Sequence, residues 1–502
     1  IEIKFFAKFM NHYSFMESFM KKFVTILFLI NTLTFSQSIQ LEDAIDYALK
    51  NNPKIKQYEA KLNQKEYQNL EALGNFFPQI NFNYSYTHLN DPIGIDLDPI
   101  RQAMIQLQAK NQVEYANIYN LLQGNSQLSD IQRSILFEQY SNQLNSLIPP
   151  FTKELKKQDY KTATITGLQP IFTGEKLLAA KRYASLDEAL TQKELKQIKD
   201  EVTKEVIKKY LAVVLLNDVI KIRDQVVVSV TKHRDRADKM MKQGIIPNHN
   251  LLRAEVALAD AEKNLFEEWN KLELAYLALK NEMGMDLNEQ ITIDDSLLFN
   301  KFNDSIESLI TEAKNENTIL QLIELKKKQA EQKYKVERSS FLPTVAAFGK
   351  FELYPEYLSA LEPRWAVGLT MNLNVFNGLR DYAKLQAADY LIDEVNSLQK
   401  NLEDKISLLV NKNYKDILNA KEKFIRNNST ITLATENLRL NEKRFETGLG
   451  TSLEVVDANL AYEKALIDSK SYLFDYYSNL TDLCTTVGNP QKVISILKNK
   501  EN

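Results

Sequence analysis

KQGIIPNHNLLRAE (Lys242–Glu255) and ETGLGTSLEVVDAN (Glu446–Asn459) lie 204 residues apart and read as one device used twice. Each interrupts a long, charged stretch of helical composition with a glycine, and each resumes in a new helix. Gly244 and Gly448 stand where a helix end takes a left-handed residue. Pro247 suits the first turn of the next helix, and Asn248 or Ser452 is placed to cap it. Beyond the turns, Ala254, Ala257 and Ala261 recur as Ala458, Ala461 and Ala465. That spacing lays small side chains along one face and lets helices approach closely. Both stretches are expected to be the tips of helical hairpins.

The duplication extends outward. Ala48, Asn52, Phe76 and Pro78 reappear as Ala313, Asn317, Phe341 and Pro343, always 265 residues on, and Gly174 and Gly244 reappear as Gly378 and Gly448, always 204 on. The difference of 61 residues is a net insertion in the first copy, at 90–159 against a short connection near 355–363 in the second. Each copy reads helix, strand, strand, long helix, turn, helix. The expected organisation is an upstream extension and signal peptide at 1–36, a first repeat at 37–304, a second at 305–489 and a C-terminal tail at 490–502. Strands are expected near 78–89, 160–171, 344–354 and 364–376, and tip turns near 244–248 and 448–452. The 70 residues from Gly174 to Gly244 span about 105 Å as one helix, at 1.5 Å per residue. The return leg is expected to break near Gly284 and resume near Ser305, and Leu41–Asn75 is expected to be one helix stacked in the same way.

The strands alternate. Ile80, Phe82, Tyr84 and Tyr86 fall on one face of QINFNYSYTH, with Asn81, Asn83 and Ser85 on the other. Trp365, Val367, Leu369, Met371, Leu373 and Val375 repeat the pattern. About 10 residues is the length of a tilted membrane-spanning strand, and Phe82, Tyr84, Tyr86 and Trp365 are candidates for the lipid-facing or interfacial aromatic side chains. A half-buried soluble sheet gives the same alternation. Met20-Lys21-Lys22 followed by FVTILFLI reads as a signal peptide cut near Ser36, which sends the chain out of the cytoplasm and favours the membrane. Four strands cannot close a barrel, and an open edge is not tolerated in lipid, so copies must associate, two giving 8 strands or three giving 12.

Other classes find little support. With 502 residues, 26% charged, only 13 Gly and 12 Pro, the composition favours long helices. A formal net charge of −3 gives no pull towards nucleic acid. One cysteine, Cys484, excludes an intrachain disulfide, and four scattered histidines do not suggest a metal site or a triad. No nucleophile elbow, phosphate loop or metal-ligand motif occurs, so neither an enzyme nor a bound cofactor or metal is expected. Met240-Met241 and the Met283/Met285 pair are helix packing rather than soft-metal ligands.

ALKNNPKI with its downstream FFPQINF, LQPIFTGEKLLAA with its echo LNVFNGLRDYAKL, and RFETGLGTSLEVVDA together resemble the TolC-type outer membrane efflux proteins, over essentially all of Leu41–Asn489. The resemblance implies a mainly α fold with a transmembrane β-barrel: a homotrimer whose 12-stranded barrel, four strands per chain, is continued by a long periplasmic α-helical barrel. It implies a channel-tunnel in the outer membrane, passing small molecules from an inner-membrane pump and a periplasmic adaptor protein. Carried over by motif, adaptor contacts fall on Met241, Gly244, Ile245 and Ile246, and on Phe445, Gly448 and Leu449. Glu454 and Asp457 fall where acidic residues form the periplasmic gate, a carboxylate ring that attracts cations. Acids in a first helical turn also stabilise the helix dipole, and that reading of Glu454 stands beside the gate. Two departures matter: Gly450 stands where some members carry an Arg that holds the entrance shut, and Asn250 and Arg253 replace the two acids in the first tip. Two other readings stand beside efflux, the outer-membrane component of a type I protein secretion system and a soluble secreted coiled-coil scaffold. The 90–159 insertion is expected outside the cell, as a flexible loop or a cap on the mouth, with Met104, Leu107, Val113 and Ile118 at helical spacing.

Overall fold

The computed structural model describes residues 37–358 and 362–498, so the expected signal peptide lies outside the described residues. The helices are α1 (Leu41–Asn51), α2 (Pro53–Gly74), α3 (Asp98–Leu122), α4 (Asp130–Leu147), α5 (Lys176–Lys242), α6 (Asn248–Met283), α7 (Ile306–Glu316), α8 (Thr318–Arg338), α9 (Arg380–Glu446), α10 (Ser452–Val487) and α11 (Lys492–Lys498). The strands are β1 (Gln37–Ser38), β2 (Gln79–His88), β3 (Ile93–Asp96), β4 (Thr152–Lys156), β5 (Asp159–Phe172), β6 (Ile291–Thr292), β7 (Thr344–Glu352) and β8 (Trp365–Asn372). Two compact units divide at Asn69/Leu70, Lys181/Arg182, Lys333/Tyr334 and Gln386/Ala387.

In one unit, β2, β5, β7 and β8 pair in that order, every neighbour antiparallel. The register sorts the side chains. Phe82, Ile165, Phe351 and Trp365 form one row across all four strands, and Ile80, Tyr84, Val345, Val367, Leu369 and Met371 share its face. Asn81, Asn83, Ser85, Thr164, Thr166, Thr370 and Asn372 take the other face, where the Ser85 and Thr162 hydroxyls meet at 2.7 Å. Both faces of β2 are open, its apolar side chains as much as its amides. Pro170 breaks the ladder in β5, and the register shifts there as a bulge, which is how an inner strand tolerates proline. The last strand stops at Asn372, so Leu373 and Val375 lie beyond it rather than on its apolar face.

Each sheet hairpin leaves by the same turn. The only non-glycine residues with positive φ among the described residues are Glu175 (69°) and Leu379 (65°), each preceded by a left-handed glycine, Gly174 or Gly378. Two left-handed residues in succession start α5 and α9, each 67 residues long and about 100 Å at 1.5 Å per residue.

The other unit is helical. Its main core gathers Val206, Ile207, Tyr210, Val410, Ile417, Tyr476, Tyr477 and Leu480 with residues of α1, α6 and α7. Leu41–Asn75 is not one helix but two, broken at Asn52-Pro53, because proline brings no amide for the helical ladder. Asn52 turns that break into a clamp: its side-chain amide donates to the Glu282 carbonyl (2.7 Å), and its side-chain oxygen accepts from the Lys54 amide (2.8 Å). Asn317, between α7 and α8, does the same with the Thr486 carbonyl (2.6 Å) and the Ile319 amide (2.9 Å). Beside each clamp a helix ends on a left-handed glycine, Gly284 or Gly488, whose absent Cβ would meet the Asn51 carbonyl oxygen at 2.7 Å or that of Glu316 at 2.5 Å. The segment between α6 and α7 is pinned by Tyr476 and Tyr477, whose hydroxyls bond the backbone at Leu298, Asn300 and Phe302. The described part of the C-terminal tail carries α11, where Asn300 donates to the Ile496 carbonyl (2.9 Å) and Lys492 pairs with Asp304 (2.7 Å).

Candidate functional site

Both tips end their long helix in the same way. The Ile245 amide bonds back to the Met240 carbonyl (2.9 Å) and the Gly244 amide to that of Met241 (3.0 Å); Leu449 and Gly448 repeat this on Arg444 (2.9 Å) and Phe445 (3.0 Å). Gly244 and Gly448 hold φ of 72° and 76°. This double bond around a left-handed glycine satisfies carbonyls a helix end otherwise leaves unpaired.

The helix starts that follow differ. At the second tip the cap is Thr451, not Ser452: its hydroxyl accepts from the Glu454 amide (3.3 Å) and its amide donates to the Glu454 carboxylate (2.7 Å). The Arg444 guanidinium completes the set at 3.3 Å from Glu454. The Thr451 amide first, and then the positive charge of Arg444, hold the Glu454 carboxyl below the usual range. At the first tip the cap is Pro247, with no side-chain bond, so Asn248 is a first-turn residue rather than the cap.

Gly450 is explained by crowding. A Cβ there would lie 3.0 Å from both the Arg444 Cβ and the Phe445 amide nitrogen, so any larger residue at that position must push these neighbours back by a few tenths of an ångström. The positive charge near the second tip's acid comes from Arg444 instead.

Beneath the turns, Ala237 and Met240 of α5, Leu251 and Ala254 of α6, Phe445 of α9 and Val455 of α10 form one small core. Phe445, expected on the contact surface, is 1% exposed and belongs to that core. His233 lies 4.7 Å from its ring, and its Nε2 is 2.9 Å from the Ser452 hydroxyl. Burial, and then the charge of Arg236, push the His233 pKa down to about 4, so it is neutral at pH 7. Arg236 pairs with Glu446 (2.7 Å) and ties α5 to α9. Of the six paired alanines, Ala254, Ala261, Ala458 and Ala465 are buried, but Ala461 is exposed, so the small-residue face is used only in part.

The remaining tip residues sort by exposure. Ile245 (55%) and Leu449 (77%) present bare apolar side chains, Gly244 and Gly448 are exposed, and Met241 and Ile246 are half-buried. Glu454 is half-buried and Asp457 exposed, three residues apart on α10 and so on neighbouring parts of one face. Phe82, Tyr84, Tyr86 and Trp365 share the apolar face of the sheet and are exposed. Among the described residues no group of three or more His, Cys, Asp or Glu side chains is arranged to hold a metal, and no helix is long and apolar enough to cross a membrane.

Residues 309–489 match the outer membrane efflux protein family. No curated protein sequence matches the chain. Solved structures do. The outer membrane protein VceC of Vibrio cholerae is 15% identical with a TM-score of 0.68, covering 90% of this chain and 96% of its own. The CmeC outer membrane channel of Campylobacter jejuni is 14% identical with a TM-score of 0.67 over 91% and 89%. The open-state MtrE outer membrane channel of Neisseria gonorrhoeae is 14% identical with a TM-score of 0.65 over 90% and 89%. At these identities the likeness is one of fold.

Proposed function

We propose that this chain, whose residues 309–489 match the outer membrane efflux protein family, belongs to that family and is the passive outer-membrane conduit of a tripartite exporter, with a helical tunnel in the periplasm. Three copies close a 12-stranded barrel. Small molecules enter from an inner-membrane pump through a periplasmic adaptor, and no bond is made or broken in the chain.

The observation that carries the reading is the sheet. Its apolar row Phe82–Ile165–Phe351–Trp365 is exposed or half-exposed, its opposite face is mainly polar with Leu168 and Phe348 as the large apolar exceptions, and its outer strands β2 and β8 each have one neighbour. In lipid every amide and carbonyl needs a partner, so β8 of one copy pairs with β2 of the next. The polar face then lines a water-filled lumen, as in membrane barrels generally.

At the periplasmic entrance, the adaptor contacts are Ile245 and Leu449, with Gly244 and Gly448 allowing close approach and Met241 and Ile246 at the margin. Phe445 acts from beneath by holding the turn. Glu454 and Asp457 supply the gate, three copies giving a ring of carboxylates. Each Glu454 is restrained by Thr451 and Arg444 of its own chain, so opening costs that local set. The test is extraction and mass: the reading expects a particle of three chains, released from outer membranes only by detergent. A soluble single chain would contradict it.

A further inference from the structure

The insertion is not a flexible loop. β2 and β5 continue through a Leu89 amide to Gln158 carbonyl bond (2.8 Å) into the β3–β4 ribbon, which carries the helical hairpin α3–α4. From Thr164, where pairing with β7 ends, back to Thr152 the ribbon runs 12 residues, about 40 Å at 3.3 Å per residue.

Helix α3 has two apolar faces. Ile105, Ala109 and Val113 are buried, with Arg101 and Asn117 closing the hairpin at either end. Arg101 donates to the Ile148 carbonyl (2.8 Å), and Asn117 accepts from the Leu128 amide (2.9 Å). The opposite face is bare: Ile100, Met104, Leu107, Tyr115, Ile118 and Leu122 are each more than half exposed. With Asn111 at the centre their spacing is 4-3-4 and again 4-3-4, an eleven-residue period read twice. Eleven residues in three turns nearly match the helix's own 3.6 per turn, so such a face stays straight along its length of about 33 Å. A helix apolar on two opposite sides is one that is covered on both.

We propose that the α3 helices of three copies pack by this face into a parallel three-helix bundle that covers the outer mouth of the channel. The inference rests on the trimer proposed above, which brings the same helix three times round one axis. The edges of the face fit that occupant. Lys110 and Glu114 lie along one edge and Gln108 and Tyr119 along the other, so in a rotationally symmetric bundle a charged edge meets an uncharged one and no like charges oppose. Asn111 then forms one polar layer in an apolar seam, a device that fixes register and copy number.

The test uses the full chain in outer membranes, with Leu107→Cys on the seam and Lys110→Cys off it. The native Cys484 is buried, so background reaction is low. Under mild oxidation, Leu107→Cys gives disulfide-linked pairs of chains at least about tenfold more than Lys110→Cys, because only seam residues bring Cα atoms within the roughly 4.4–6.8 Å a disulfide needs. Conductance of the oxidised variant is lower and recovers on reduction. Cross-linking of Leu107→Cys no greater than that of Lys110→Cys, in a particle still three chains in mass, overturns the bundle and gives this face to lipid or another molecule. A single-chain mass removes the trimer as well.

Discussion

Replacing Asn317 with alanine tests the clamp between α7, α8 and α10. The side chain is 4% exposed and makes three bonds: it donates to the Thr486 carbonyl (2.6 Å) and accepts from the Ile319 (2.9 Å) and Leu320 (3.2 Å) amides. Alanine leaves the carbonyl without its partner, at about 1–3 kcal/mol, and removes a helix cap, at about 1 kcal/mol. The sum, roughly 2–4 kcal/mol, falls on local opening of α8, since the sheet has no part in these bonds. Amide hydrogen exchange in the first turn of α8 reads it directly, with acceleration of roughly 30-fold to several hundred-fold. Asn317→Asp separates the two parts, because it keeps the acceptor for the α8 amides and loses the donor to Thr486. Exchange in Asn317→Ala within about threefold of the parent, which is some 0.7 kcal/mol, would refute the clamp. Asn52→Ala tests the same reasoning in the first copy, where the partner is the Glu282 carbonyl.

Other perturbations bear on the tips. His233 takes up a proton near pH 4 when the tip is packed and near 6.5 when it is open, so packing weakens as pH falls through that window, by up to about 3 kcal/mol. Once exchange is corrected for its intrinsic pH dependence, protection around Met240 and Phe445 should therefore fall between pH 7 and 5 in the parent and stay level in His233→Gln; a parent whose protection does not respond to pH contradicts this. Gly448→Val puts a β-branched residue at φ 76°, at a cost of about 1–3 kcal/mol, and should abolish adaptor co-purification while the trimer survives. An unaltered complex would remove the tip from the adaptor surface. Gly450→Ala drives a methyl against Arg444, so the Arg444–Glu454 pair should loosen and conductance rise; a parental conductance would show that the pair does not restrain the entrance.

Much of this architecture is legible in the sequence because it is local and repeated. Gly244 and Gly448 announce turns by residue type alone, and alternation in QINFNYSYTH announces a strand. The capping of Glu454 was also there to be read, since T-S-L-E is a Thr followed three residues later by Glu, the signature of a capping box. What escaped depends on distance along the chain. Asn52 and Asn317 repeat visibly, but their partners lie 230 and 169 residues away. Gly284 and Gly488 share the 204-residue offset, yet the reason for them is a carbonyl of another helix. Phe445 reads as a surface residue because its neighbours come from three other helices, α5, α6 and α10. In α3, Val113 and Met104 stand together among the apolar residues at helical spacing in the sequence, and the fold puts them on opposite sides of the helix.

Whether three chains form a conduit gated by carboxylates is answered by single-channel recording of the detergent-purified protein of known mass in a planar bilayer. The expected result is a three-chain particle with a small, cation-selective conductance that grows, and loses its cation preference, when Glu454→Gln and Asp457→Asn are combined. A particle without channel activity, or one whose currents ignore the paired substitution, would contradict the conduit in the first case and the gate in the second.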